Sequence, residues 1–224
     1  IFLLWAGYSP TLRLFGRGSL NEQLHVVRLR WFHVHGGISR EHRVFDAIML
    51  GHINTSISYF GSATLIVLAG LVGSFFNIND IYIAAVQLKF VADVTLNLFT
   101  VHFAVVTLIL ALSFFSFTYA MRQMAYTFAL LGGLQEAPGS TSQQEVMAAQ
   151  AATVLTEAVR SINNGVRGFY YAIAALFLFV GPMQCIAATL LVTALLYYRQ
   201  LGSPTAKAIG RYVEALKNSD KVNL

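Results

Sequence analysis

Long runs of apolar residues constrain this chain more than any other feature. Residues 44–76 and 90–117 hold almost no charge, and residues 169–198 hold none. A bilayer core ~30 Å thick requires roughly 20 consecutive apolar residues when a helix crosses it, and each run reaches that length. The sequence therefore predicts an all-α, polytopic transmembrane helical bundle that forms a single membrane domain.

The composition agrees with a membrane protein. Hydrophobic residues make up 56% of the chain and charged residues 11%, whereas a soluble domain carries about 25% charged residues. The basic residues cluster outside the apolar runs, where anionic lipid headgroups attract them. No basic stripe interleaved with aromatic residues indicates nucleic-acid binding, so the expected surroundings are the lipid bilayer and other membrane proteins.

The first part of the chain has two predicted elements. Residues 1–8 are apolar, but they are too few to span a bilayer. We interpret them as the tail of a first transmembrane helix whose beginning is missing, stopped by Ser9-Pro10, which gives about four spans in total. Residues 11–43 mix six arginines with Trp31 and other apolar residues, and this pattern predicts a basic interfacial segment in the headgroup plane.

The remaining predicted elements follow from apolar patterns and helix breakers. Asn163-Asn164-Gly165 is expected to separate a cytoplasmic amphipathic helix from the last span, and Gly181-Pro182 to kink that span without dividing it. The predicted membrane helices cover residues 44–76, 90–131 and 169–198, and the predicted amphipathic helices cover residues 142–162 and 203–218.

The distribution of Lys and Arg predicts the orientation in the membrane. Residues 11–43 carry six of them, residues 77–89 carry one, and residues 122–167 carry three, so the first and third segments are expected in the cytoplasm. The C-terminal tail carries five more. A single helix over residues 169–198 would place this tail outside, whereas a re-entrant turn at Gly181-Pro182 would return it to the inside, and both arrangements stay open.

His52 and His102 lie on neighbouring predicted spans, as the ligands of a b-type haem would. With the intervening turn centred near residue 82, however, their levels differ by about ten residues, or ~15 Å. Two axial nitrogens on one haem iron lie only about 4 Å apart. One chain therefore cannot use both, although His102 could pair with its own copy in a symmetric oligomer. No cofactor is predicted, and haem or quinone binding is kept as an alternative.

Polar residues inside the spans are candidate contacts. Such residues usually face neighbouring helices or a pathway for a ligand. Asp93, Asn97 and Thr100 follow a helical spacing, although Asp93 is also expected near the interface, where it could cap the helix. Ala69 and Gly73 predict a site of close helix approach. The candidate intramembrane polar or ligand contacts are His52, Ser56, Ser62, Asn97 and His102.

No pattern of residues predicts catalysis. His33 and His35 have the spacing of metal ligands in an extended segment, but no carboxylate or Cys completes a recognisable set. The lone Cys185 excludes an intrachain disulfide. Phosphate-binding, serine-hydrolase and zinc-protease motifs do not occur. We therefore predict no catalytic residue and no metal site.

Several motifs together resemble the bacterial membrane family catalogued as domain of unknown function 599, over nearly the whole chain. They include Arg30-Trp31, residues 40–46 (REHRVFD), 56–64 (SISYFGSAT), 114–119 (FFSFTY), 163–171 (NNGVRGFYY) and 196–199 (LYYR). The resemblance implies a four-helix protein of the bacterial cytoplasmic (inner) membrane with its N-terminus outside. It carries no activity to transfer.

Arg122, Asn164 and Arg167 lie where the predicted helices leave the cytoplasmic face. Their side chains can reach lipid phosphates or brace the junction between helices. The chain as a whole, with 17 Phe and 10 Tyr, is expected to be a non-catalytic accessory or scaffolding subunit that packs against other membrane proteins or its own copies. The alternatives are a small transporter or channel with a polar pathway between residues 44–76 and 90–131, and a redox-complex subunit.

Overall fold

All the regular structure is helical in the residues that the computed structural model describes, which are 1–14, 19–35, 40–134 and 141–222. The prediction of an all-α bundle is confirmed. Short 3₁₀ turns at Phe75–Asn77 and Phe177–Phe179 lie between longer helices. The helices are α1 (Phe2–Leu14), α2 (Leu20–His35), α3 (Arg40–Ser74), α4 (Ile78–Val86), α5 (Leu96–Gly133), α6 (Thr141–Leu176), α7 (Pro182–Leu201) and α8 (Pro204–Val222).

Three helical stretches are long and apolar enough to cross a membrane, judged by length and composition. They are Val44–Val86, Leu96–Gly133 and Pro182–Asn218. Only a small share of each stretch is buried inside the chain, so most of its apolar surface faces outward, as in a protein whose solvent is lipid. The chain is therefore a polytopic membrane protein.

Helices α3 and α5 form an antiparallel hairpin. The Ser58 hydroxyl lies 3.4 Å from the Met121 sulfur, and the ring centroids of Phe75 and Phe103 lie 5.0 Å apart. The turn is therefore centred near residue 89, and the prediction of a centre near residue 82 is wrong because residues 78–86 form the additional helix α4. Helix α5 begins at Leu96 and not at residue 90, since Thr95 caps it and accepts a hydrogen bond from the Leu98 amide.

Helix α6 continues through Asn163, Asn164 and Gly165, where the sequence predicted an interruption. Gly165 and Gly168 allow α6 to pack closely against α5. A Cβ atom at Gly165 would lie 2.7 Å from the Phe117 ring, and one at Gly168 would lie 1.7 Å from the Ser113 Oγ atom. Their hydrogen side chains therefore let α6 approach α5 closely, and the packing offsets the low helix propensity of glycine.

A stripe of small side chains on α6 supports the same close packing. Ala148, Ala151, Ala152 and Ala158 are buried in one apolar cluster with Phe117 of α5, together with residues of α2 and α3. Alanine adds little bulk, so α2 and α5 pack against α6 at short distance. Helix α6 is therefore the central element of the bundle.

The chain reverses direction between α6 and α7. Gly181 adopts φ = 154°, which residues with a Cβ rarely adopt, and Pro182 opens α7 at a position where a missing N–H costs little. The Tyr171 and Thr193 hydroxyls lie 3.1 Å apart across the two helices. The prediction of one kinked helix over residues 169–198 is wrong, and the re-entrant turn is the arrangement that the structure shows.

This reversal brings α8 back beside α2, where the Leu20 amide donates to the Gln200 side chain over 3.0 Å. We call this end of the bundle, with α2, α8 and the first half of α6, the basic end. The opposite end holds α4 and the α6–α7 turn, where the Ala92 amide donates to the Phe179 carbonyl. Of the fifteen Lys and Arg residues, only Lys89 belongs to the link between α3 and α5.

Helix α1 runs through Ser9 and Pro10, which were predicted to stop it, and ends at Leu14. Proline removes one backbone hydrogen bond, but side chains fix the helix on both sides of it. The Tyr8 hydroxyl donates to the Leu196 carbonyl over 3.0 Å, and Thr11 hydrogen-bonds Tyr197. Packing against α7 therefore outweighs the helix-breaking tendency of Pro10.

Candidate functional site

A cavity of about 370 Å³ at the basic end is lined largely by polar side chains. Helices α1, α2, α6 and α7 form its walls, with a contribution from the start of α8. We call it the arginine cavity, after Arg160, Arg167 and Arg199. Other polar residues that line it are Ser9, Asn21, Glu22, Asn163, Tyr170 and Gln200.

Arg167 is the most buried of these arginines, with 9% of its surface exposed. Its Nε donates to the Asn163 carbonyl over 3.2 Å, one terminal nitrogen donates to Ser9 over 3.1 Å, and the other donates to Asn164. The guanidinium also lies 4.7 Å from the centroid of the Tyr8 ring. Within the described residues no carboxylate pairs with it, so neutral groups alone hold this cation.

The other two arginines of the cavity have different partners. Arg199 donates to the Tyr170 hydroxyl over 2.7 Å and has no carboxylate partner among the residues described. Arg160 lies 2.7 Å from a Glu157 oxygen and 3.6 Å from a Glu22 oxygen. The acidic residues therefore balance Arg160, while Arg167 and Arg199 leave the cavity with a positive charge.

A polar contact between α2 and α6 borders the arginine cavity. The Arg28 guanidinium donates to the Thr156 hydroxyl over 3.1 Å and to the Asn21 carbonyl over 3.2 Å, and His25 lies within hydrogen-bond distance of the same hydroxyl. Burial lowers the pKa of Arg28 to about 10, so it stays charged at neutral pH. Asn21 donates to the Thr156 carbonyl, but its buried Oδ1 meets no donor in the described part of the chain.

This contact was not predicted, because residues 11–43 were expected to lie in the headgroup plane alone. The spacing of residues in α2 nevertheless indicates such a contact. Asn21, His25, Arg28 and Phe32 recur at the spacing of one helical face, and this is the face that α2 turns toward α6 and its neighbours.

A second, larger groove of about 840 Å³ lies between α1, α5 and α6. Its apolar side is formed by Phe2, Trp5, Leu112, Phe115 and Tyr119, and its polar side by Gln123, Glu157, Arg160, Ser161 and Asn164. We call it the amphipathic groove. Ser9 and Arg160 line both the groove and the arginine cavity, so the two spaces are neighbours.

The structure brings together two of the three residues predicted at the helix junction. Asn164 and Arg167 are hydrogen-bonded to each other on α6. Arg122 is exposed on α5 and lines neither the cavity nor the groove. Arg160 and Arg199 were not predicted to join Arg167. Arg160 precedes the interruption that was expected at residues 163–165 of what is a continuous α6, and the proximity of Arg199 depends on the α6–α7 reversal.

The predicted intramembrane contacts do not meet inside one chain. His52, Ser56 and Ser62 are exposed on the side of α3 that faces away from α5, and Asn97 is exposed in the first turn of α5. His102 is half-buried beside the Phe179 ring, and its Nδ1 has no hydrogen-bond partner among the described residues. The space between α3 and α5 is filled by apolar packing around Ile57 and Phe117.

The two histidines lie near opposite ends of the hairpin. The contacts between α3 and α5 set His52 level with residue 126, about 24 residues or ~36 Å along the axis from His102. The predicted offset of ~15 Å was too small because the turn is longer than expected. The geometry excludes a haem shared by His52 and His102 of one chain.

Three further patterns from the sequence take a different form in the structure. Asp93 precedes α5 in a non-helical segment, so it does not share a helical face with Asn97 and Thr100. Gly73 has open space where a Cβ would be, so no helix of the described chain packs closely there. The pair of His33 and His35 has one member, His35, whose side chain lies outside the part of the chain that the structure describes.

The chain belongs to the family described as "Protein of unknown function, DUF599", whose model matches residues 1–205. No curated protein matches the chain. No solved structure matches it either. The match confirms the resemblance found in the motifs. Because the family has no known function, a function for this chain can be inferred only from its own structure.

Proposed function

We propose that this member of the family is a non-catalytic membrane subunit that acts by assembling with its own copies or with other membrane proteins. The observation that carries the proposal is the outer face of α3. This face consists of the outward residues His52, Thr55, Ser56, Tyr59, Ser62, Ile66, Gly70 and Gly73.

The outer face of α3 has the composition of a helix–helix contact. Tyr59 and Ile66 are 70% and 74% exposed, and Gly70 and Gly73 have open space around them. Glycine and hydroxyl residues let two membrane helices approach closely, and large side chains between them fill the partner's grooves. A second helix at this face would bury a surface that the single chain leaves uncovered.

Hydrogen bonding supports the same conclusion. The Thr55 and Ser56 hydroxyls donate to the carbonyls of Gly51 and His52 one turn earlier, which leaves their oxygen lone pairs available. The His52 imidazole makes no hydrogen bond within the described residues, and lipid tails offer none. A neighbouring helix supplies such partners, typically for about 1–2 kcal/mol per contact.

Cysteine cross-linking tests the proposal. In a background where the buried Cys185 is replaced by Ala, Ser62→Cys is expected to form a disulfide-linked dimer in native membranes under mild oxidation. Leu191→Cys is the matched control, because this residue is 71% exposed on α7, away from α3. Equal cross-linking at both positions, or none at Ser62→Cys, would contradict assembly of copies through α3.

The transporter or channel alternative takes a specific form in this geometry. His52, Ser56 and Ser62 share one outward face, so a polar pathway would run between copies and not between α3 and α5. Replacing Ser62 with Leu would then abolish solute flux in vesicles. Unaltered flux would remove this alternative.

We also propose that the protein lies in a bacterial inner membrane, with its basic end on the cytoplasmic side. The proposal is supported by the reversal at Gly181, which turns the basic tail toward the end that holds α2. Cytoplasmic loops carry the excess of Lys and Arg in bacterial membrane proteins. The redox alternative is the weakest of the three functions, because one chain does not pair its histidines.

A further inference from the structure

We infer that the arginine cavity binds the phosphate group of an anionic membrane lipid, with the lipid's chains in the amphipathic groove. This inference goes beyond the proposed function and does not depend on it, since a single chain holds every residue involved. It rests on the charge of the cavity, on hydrogen-bond donors that remain available, and on the position of the groove.

The charge of the cavity calls for an anion. Glu22 and Glu157 are both engaged by Arg160, whereas Arg167 and Arg199 have only neutral partners among the described residues. A buried guanidinium without a counter-ion is costly, and the cost is greater near a membrane. An anion between Arg167 and Arg199 would remove that cost.

The donors that remain suit phosphate. A guanidinium carries five N–H groups. The hydrogen bonds of Arg167 use three of them, and the single hydrogen bond of Arg199 uses one. The remaining donors can form the paired, charge-assisted hydrogen bonds that arginine makes with phosphate oxygens.

The level of the cavity matches a lipid headgroup. Arg167 lies about 14 residues from Gly181, or ~21 Å along α6 from the opposite end of the bundle. A hydrocarbon core is ~30 Å thick, so Arg167 lies ~9 Å from the boundary at the basic end, and a long arginine side chain covers much of that distance by extending toward the headgroups. Basic pockets between membrane helices on this side are typical sites for anionic headgroups.

The amphipathic groove favours a lipid over free phosphate. Trp5, Leu112 and Phe115 provide an apolar wall for an acyl chain, and Ser9 connects this wall to the arginine cavity. A lipid whose phosphate lies in the arginine cavity would therefore have an apolar surface beside it for its chains, which a free phosphate would leave empty.

The test compares three probes on the delipidated full chain in mild detergent, with native mass spectrometry and binding titrations as readouts. Phosphatidylglycerol carries both the phosphate and the chains, diacylglycerol carries the same chains without phosphate, and glycerol 3-phosphate carries phosphate without chains. We expect phosphatidylglycerol to bind at least about tenfold more tightly than either of the others.

Matched variants separate the cavity from the general positive charge of the protein. Arg199→Gln should weaken phosphatidylglycerol binding about tenfold, since it removes a charged donor from the cavity. Arg199 is exposed, so its loss leaves the core intact, and Arg167→Gln is expected to act in the same direction. Arg122→Gln removes the same charge outside the cavity and should change binding less than twofold.

Three results would overturn the inference. Equal binding of diacylglycerol would show that the phosphate is not recognised. Equal binding of glycerol 3-phosphate would show a site for soluble phosphate compounds and not for a lipid. An Arg122→Gln effect as large as that of Arg199→Gln would reduce the interaction to non-specific attraction.

Discussion

At the scale of single residues, two glycines and one threonine set the distances between helices. Gly165 and Gly168 lie directly against Phe117 and Ser113 of α5, both of which are fully buried. Thr156 accepts hydrogen bonds where α2 meets α6. These positions hold no charge and belong to no motif for catalysis, yet the positions of the arginines depend on them.

Gly168→Ala is predicted to destabilise the protein by about 1–3 kcal/mol, because the new methyl group would overlap the Ser113 Oγ and push α6 away from α5. The measurement is the free energy of unfolding in mixed micelles. Gly51→Ala is the control, since a Cβ there meets no atom within 4 Å. A Gly168→Ala protein as stable as this control would show that the helices are not in close contact.

Thr156→Val keeps the shape of the side chain but removes an acceptor for the half-buried Arg28. The expected loss is about 1–3 kcal/mol of unfolding free energy, since a half-buried donor is left with fewer partners. Thr153→Val lies one turn away on the exposed side of α6 and loses only its bond to the Ala149 carbonyl. If both variants lost the same unfolding free energy, the contact between α2 and α6 would make no specific contribution to stability.

At the scale of helices, the sequence predicted the elements better than their boundaries. Apolar length identified α3 and α5, because a run of apolar residues is a local property. The interruption at Asn163 and the continuity across Gly181 were both predicted wrongly. Helix propensity alone does not show that Gly165 packs against Phe117 while Gly181 takes a positive φ, since that difference depends on tertiary contacts.

Gly181→Ala is predicted to disturb the turn between α6 and α7. The alanine would have to adopt φ = 154°, and its Cβ would lie 2.5 Å from the Gln184 Oε1 atom. We expect a loss of roughly 1–3 kcal/mol, seen as a lower Tm. Gly210→Ala, in the open middle of α8, should be neutral or slightly stabilising. An unchanged Tm for Gly181→Ala would argue against this turn.

At the scale of the whole molecule, the reversal at Gly181 decides the topology and the site. It brings Arg199 of α7 beside Tyr170 of α6, and it returns α8 to α2. The sequence identified Asn164 and Arg167, because arginine and asparagine at a helix junction are recognisable locally. Arg199 and Tyr8 could not be assigned to the same site, since only the folded arrangement brings α1 and α7 next to α6.

This topology predicts which residues can be labelled from each side of the membrane. In the Cys185→Ala background, Lys89→Cys should react with an impermeant maleimide added to intact spheroplasts. Lys217→Cys, which is exposed on α8 at the basic end, should react only after the membrane is permeabilised. Labelling of both residues from the same side would refute the reversal at Gly181 or the number of crossings.

The central claim is that the protein works as an assembled subunit, and its native mass tests that claim most directly. Native mass spectrometry after gentle extraction should give a complex larger than a single chain, either a multiple of its mass or a stoichiometric complex with another membrane protein. Replacing Tyr59 and Ile66 of the α3 outer face with Ala should reduce this mass toward that of one chain. A wild-type protein found only as a monomer, with or without bound lipid, would contradict the proposal.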